Sequence, residues 1–135
     1  MYRFLVSVLI LTLCCGCIDH PNDKLVRKGV LARLTTYAEA INFLAADCGR
    51  KRVLDAKMPE VLDALYRNPG WPGWKGPYLI GQFIDRDGWE MPYKFEFSGS
   101  SIRLISGGPD RIIGTGDDVI VVAQMPGVIT NDAVP

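Results

Sequence analysis

Between Val26 and Cys48 apolar side chains return at spacings of four, four, three, four, three and four: Val26, Val30, Leu34, Tyr37, Ile41, Leu44 and Cys48. A strand alternates every second residue and a helix turns about every 3.6, so only a helix gathers all seven on one side. Lys28, Arg33, Thr36, Glu39 and Asn42 fall on the other side. Gly29 costs roughly 1 kcal/mol relative to Ala without breaking the pattern. Asn22 or Asp23 can cap the start, because a short oxygen-bearing side chain accepts from exposed backbone N–H groups. Gly49 is a natural stop. The stripe has too few seam repeats for a coiled coil, so it must dock on the rest of the chain.

The second half of the chain is built differently. Most of the 14 glycines and 9 prolines fall after residue 58. Pro59 can open a second, shorter helix carrying Val61, Leu62, Leu65 and Tyr66, ended by Asn68-Pro69-Gly70. The prolines and glycines of residues 71–77 impose turns, and Trp71 and Trp74 are expected to cover the core. Tyr93, Phe95 and Phe97 alternate with Lys94 and Glu96, the mark of a strand with one dry and one wet face. Ser98-Gly99-Ser100 turns the chain. Ile102 and Leu104 continue on a second strand, and Val119-Ile120-Val121-Val122 forms a third. The expected fold is α+β: a long N-terminal helix packed on a small three-stranded antiparallel sheet. At 135 residues one domain is expected. A hydrophobic share of 48% against 22% charged excludes wholesale disorder. Fifteen basic and fifteen acidic side chains cancel, which excludes a strongly basic nucleic-acid binder.

Ahead of the helix, Arg3 is followed by an apolar run from Phe4 to Leu13, then Cys14-Cys15-Gly16-Cys17. A spanning helix needs about 20 apolar residues, so this run suits a signal peptide instead. With small Gly16 before Cys17, the segment resembles a bacterial lipobox. That resemblance implies cleavage before Cys17 and acylation of its sulfur; the alternatives are an ordinary secretory signal or an uncleaved anchor. It divides the chain into a signal peptide (1–16), a lipidated tether (17–22) and a globular domain (23–135). Each buried methylene of an acyl chain contributes ~0.8 kcal/mol to membrane attachment. By the same resemblance Ile18, where Asp would retain the protein at the inner membrane, points to the outer membrane. Loss of Cys14 and Cys15 and lipidation of Cys17 leave Cys48 alone, with no internal disulfide. Residues after Pro126 read as a surface tail.

Between the last two strands, residues 106–118 hold Asp110, Asp117 and Asp118 among four glycines. Crowded carboxylates repel, and a loop that gathers them is stabilised by a cation. Calcium suits it, taking about six to eight hard oxygens, backbone carbonyls included. No His or Cys stands nearby for zinc. The spacing is not that of an EF-hand. A plain polar hairpin loop is the other reading, since Asp and Gly are common turn formers.

Trp74-Lys75-Gly76-Pro77-Tyr78-Leu79 matches the W-K-G-P-Y-L of the major pseudopilin of type II secretion, the G component. Asp87, Trp89, Pro92 and Tyr93 match its D-P-W-G-N-P-Y. Ser106-Gly107-Gly108-Pro109-Asp110 and Gly114-Thr115-Gly116-Asp117-Asp118 match S-x-G-x-D and G-T-x-D-D. Asp47-Cys48-Gly49-Arg50 is similar to its D-N-G-R-Y-P helix end. From Gly73 onward the chain therefore resembles the C-terminal domain of that family. The resemblance implies a calcium-binding loop, with carboxylates from Asp110, Asp117 and Asp118 and the Gly107 backbone carbonyl as ligands. It also implies pseudopilins or other secretion components as partners. The family's own beginning, a short leader and a Phe-rich polymerising helix with Glu at its fifth position, is replaced here by the Cys17 segment.

No constellation supports an enzyme or a small-molecule substrate. Cys48 lacks a base, because His20, the sole histidine, sits in the tether. Cys48 reads as a small buried residue at a helix end, and Asp87 as a turn cap. The expected protein is a lipid-anchored, periplasm-facing member of the cell envelope, a structural or accessory component of a type II secretion-like assembly. The alternative is a free-standing periplasmic lipoprotein binding module.

Overall fold

The computed structural model describes residues 22–125. The expected signal peptide, the tether up to residue 21, lipidation at Cys17 and the C-terminal tail lie outside the described residues. Helix α1 covers Asp23–Cys48, and it is the helix that the apolar spacing requires. Val30, Leu34, Tyr37, Ile41 and Leu44 are buried, Ala38, Ala40 and Ala45 widen the stripe, and Val26 and Cys48 are half-buried at its ends. Each large aliphatic side chain so covered contributes about 1.5–3 kcal/mol. Asn22 takes the cap position but is already helical at φ −80 and ψ −21, and its side chain makes no cap bond. Its carbonyl accepts from the Val26 N–H at 2.9 Å. At the other end Gly49 turns to φ 93, and its N–H donates to the Ala45 carbonyl at 2.9 Å.

Two short helices cap the lower end of the core. Helix α2 (Arg50–Asp55) buries Val53 and carries a Lys51–Asp55 ion pair one turn apart on its surface. Helix α3 (Met58–Ala64) has Pro59 in its first turn, as expected, and buries Val61 and Ala64. Leu65 is fully buried just past it, and Tyr66 already belongs to the following turn.

The sheet has the order β1 (Lys94–Ser98), β2 (Ser101–Ser106), β3 (Val119–Gln124), antiparallel throughout. Phe95 faces Leu104, which faces Val121; Phe97 faces Ile102, which faces Ala123. This side packs on the core except at Phe97, which is 40% exposed near the end of β1, and α1 lies across β2 and β3. The other side carries Glu96 and Arg103, joined at 2.8 Å, together with exposed Ile120 and Val122. The architecture is the expected α+β helix-on-sheet fold.

Residues 65–93 hold no regular element, yet they run back along α1 in an ordered way. Trp74 Nε1 donates to the Ala64 carbonyl at 2.7 Å, and the Tyr78 hydroxyl donates to Asp47 at 2.7 Å, beside the end of α1. Halfway along, the Tyr37 hydroxyl bonds both the N–H and the carbonyl of Ile84 at 3.2 Å. At the start of α1, Trp89 Nε1 donates to Asp23 at 3.0 Å. The segment thus delivers residues 85–92 to the same end of the molecule as the first turn of α1. Among the described residues, no helix is long and apolar enough to cross a membrane.

Candidate metal centre

The loop that joins β2 to β3 stands on a buried carboxylate. Asp87 is only 4% exposed. One of its oxygens accepts the N–H groups of Trp89 at 2.9 Å and Met91 at 3.0 Å; the other accepts the Ser106 hydroxyl at 2.7 Å. Ser106, fully buried at the end of β2, also accepts the Gly108 N–H at 3.3 Å. Asp87 is therefore the expected turn cap, and in addition it fixes the base of the acidic loop.

Gly108 has φ 68, and a β-carbon there would collide with the backbone carbonyl of Asp117. Glycine is the one residue that fits both the conformation and the space. Gly107 is buried beside it, and a β-carbon at that position would lie 3.1 Å from the Ile112 nitrogen. Arg111, at φ 62, closes a turn by donating its N–H to the Gly108 carbonyl at 3.0 Å.

The three aspartates tie this loop to itself. Asp110 accepts the Ile112 N–H at 2.8 Å, Asp118 accepts the Gly114 N–H at 2.8 Å, and Asp117 accepts the Asp110 N–H at 3.1 Å. The Thr115 hydroxyl lies 2.5 Å from the other Asp117 oxygen and 3.4 Å from Asp118. Burial pushes the Asp117 carboxyl upward, but the Thr115 hydroxyl and the Asp110 N–H outweigh it and hold it below the ordinary carboxylate range. It is therefore ionised at neutral pH.

One element from far away completes the site. Arg27, in the second turn of α1, donates Nη1 to the Asp117 carbonyl at 2.7 Å and Nη2 to the Asp118 carbonyl at 3.2 Å. Sequence reasoning missed this residue, since nothing local marks a contact across 90 positions.

The structure thus brings Asp110, Asp117 and Asp118 into one loop over Gly107. Among the described residues, however, no three His, Cys, Asp or Glu side chains already converge as a metal cluster. The hydrogen bonds within the loop are the reason, because each carboxylate turns toward a different backbone N–H. Every carboxylate oxygen has two lone pairs, so one bond to N–H leaves it able to accept again. The donor set is entirely hard oxygen, which fits calcium and not a softer metal.

Cys48 is half-buried, and burial followed by the neighbouring Asp47 charge pushes its thiol up, away from the reactive thiolate. Tyr78 beside it is pushed up to about 12, first by burial and then by its bond to Asp47.

No curated protein and no solved structure matches the chain. The family model described as type II secretion system (T2SS), protein G, matches residues 31–124, from the third turn of α1 to the last residue of β3. That match takes in most of α1, the whole sheet and the acidic loop, and the chain belongs to the type II secretion system protein G family, as a pseudopilin-like protein.

Proposed function

We infer that this protein is a lipid-anchored, pseudopilin-like structural or accessory component of a type II secretion assembly, with a head stabilised by calcium. The observation that carries the reading is the family head over residues 31–124 standing behind a Gly16-Cys17 segment instead of a polymerising helix. Acylated at Cys17, the head is held at the envelope membrane without entering a filament core. Its partners are then pseudopilins or other secretion components, met by the folded domain.

The loop supports the calcium part. Asp110, Asp117 and Asp118 are the side chains that would hold the ion, with backbone oxygen from the Gly107 region. Calcium would supply the positive charge that lets three carboxylates share one short hairpin. This chain's residues do the rest: Gly108 lets the two sides of the loop close, Arg27 fixes the carbonyls of Asp117 and Asp118, and the Thr115 hydroxyl helps hold the Asp117 carboxyl below its ordinary range.

Thermal unfolding tests the metal. Extracellular-type calcium modules bind with dissociation constants of ~0.1–1 mM, so several millimolar calcium should raise the melting temperature. Asp117→Asn should abolish most of the rise while keeping the fold. Equal melting curves in calcium and chelator overturn the calcium reading. Fatty-acid labelling that survives Cys17→Ser overturns the anchor. Purified mature protein should bind pseudopilins at micromolar concentrations; no interaction favours a free-standing binding module.

A further inference from the structure

The anchor-proximal end of the head carries apolar side chains that the fold does not use. Ile112 is 59% exposed and Ile113 42%, at the tip of the acidic loop, and Leu25, in the first turn of α1, is 71% exposed. The loop is rigidly attached to that end of the helix. Gly114 is bonded to Asp118, Asp110 to Asp117, and the carbonyls of Asp117 and Asp118 to Arg27. Lys24, Lys28 and Arg111 are exposed at the same end and form no ion pair among the described residues.

Chain length decides what meets this surface. Only five peptide units separate Cys17 from Asn22, where the described residues begin, and a fully extended chain covers at most ~3.6 Å per residue. The first turn of α1 therefore stays within roughly 18 Å of an acylated Cys17. The helix itself, 26 residues, is ~39 Å long, so its far end lies beyond that reach.

The geometry points to a membrane-apposed face. Leu25, Ile112 and Ile113 enter the headgroup–acyl boundary of the leaflet that holds the lipid, and Lys24, Lys28 and Arg111 meet its headgroup phosphates. Amphipathic protein surfaces seat themselves this way, with apolar side chains at the boundary and long basic ones reaching to the headgroups. Asp110, Asp117 and Asp118 carry opposite charge on the same loop, so apolar contact supplies the main attachment and the cations set the orientation. The inference rests on acylation of Cys17, the anchor of the proposed function.

The test uses the lipidated full-length mature chain in protein-free phospholipid vesicles, with Cys48→Ala to leave one labelling site. A nitroxide is placed by Ile112→Cys or, as the control, by Ile80→Cys. Ile80 is 95% exposed and stands two residues beyond Tyr78, at the Asp47 end of α1. Mass spectrometry first establishes the acyl group. The expected result is a several-fold gain in oxygen accessibility and loss of nickel-chelate accessibility at 112 on reconstitution, with position 80 unchanged. An acylated protein whose position 112 stays as water-accessible as 80 overturns this inference and leaves the anchor standing. A mature chain without acyl groups overturns both. Shielding of 112 in native envelopes but not in protein-free vesicles assigns the surface to a protein and overturns the lipid contact.

Discussion

Asp87 has both carboxylate oxygens engaged in a place closed to water, which makes it the most exacting residue of the head. Asp87→Ala leaves the Trp89 and Met91 N–H groups and the Ser106 hydroxyl without their acceptor. A buried orphaned group costs about 1–3 kcal/mol, so the variant should lose at least ~3 kcal/mol in urea unfolding. Asp87→Asn, which keeps one acceptor oxygen, should lose less. Asp117 works at the surface and through charge. Its carboxyl titrates lower in the folded protein than its ordinary value of 3.8, so its contribution is complete above that value and disappears as the pH falls through the lowered one. In chelator, the amide protection factors of residues 110–118, exchange rates divided into the intrinsic rate at each pH, should stay constant from neutral pH down to about 4 and fall below it. A loop already loosened at pH 6 contradicts the assignment. Asp87 was legible as a turn cap because glycine and a local N–H follow it. Its burial was not, because Ser106 is 19 residues away. The acidic trio was legible as a cluster, whereas the backbone groups each carboxylate faces depend on turns at Gly108 and Arg111 that composition does not encode.

At the scale of elements, α1 shows how sharply one spacing pattern divides a helix. Leu34 is fully buried and Leu31, three positions earlier, is 46% exposed. Leu34→Ala should cost about 2–5 kcal/mol, because the transfer loss and the residual cavity add. Leu31→Ala should stay within about 0.5 kcal/mol. Comparable losses at both sites would mean that the helix packs differently. The helix and β1 could be read in advance because each repeats its period several times; β2 showed through Ile102 and Leu104, and β3 as the apolar run Val119-Ile120-Val121-Val122. Helix α2 could not. Six residues complete fewer than two turns, only Val53 is buried, and Gly49 just before them reads as a stop. Tyr66 illustrates the opposite error: it keeps helical spacing with Leu62, yet α3 has ended at Ala64.

For the whole molecule, the contacts that set the shape join distant parts of the chain. Residues 65–93 retrace α1 from Asp47 past Tyr37 to Asp23, and Arg27 then holds the hairpin against the start of the helix. Local periodicity is silent about such ties, which is why the positions of the elements were less legible than their existence. Arg27→Ala should lower stability by about 1 kcal/mol, with faster exchange confined to residues 114–118. A global loss of protection would instead make Arg27 part of the cooperative core.

The unbroken length of α1 also sets a height. Its 26 residues make a rod ~39 Å long. If Cys17 is acylated as proposed and the helix stands upright on the membrane, the Trp74–Tyr78–Asp47 junction at its far end would ride about 4 nm above the bilayer. On that proposed geometry a partner at that height would meet aromatic rings, and one close to the headgroups would meet the acidic hairpin.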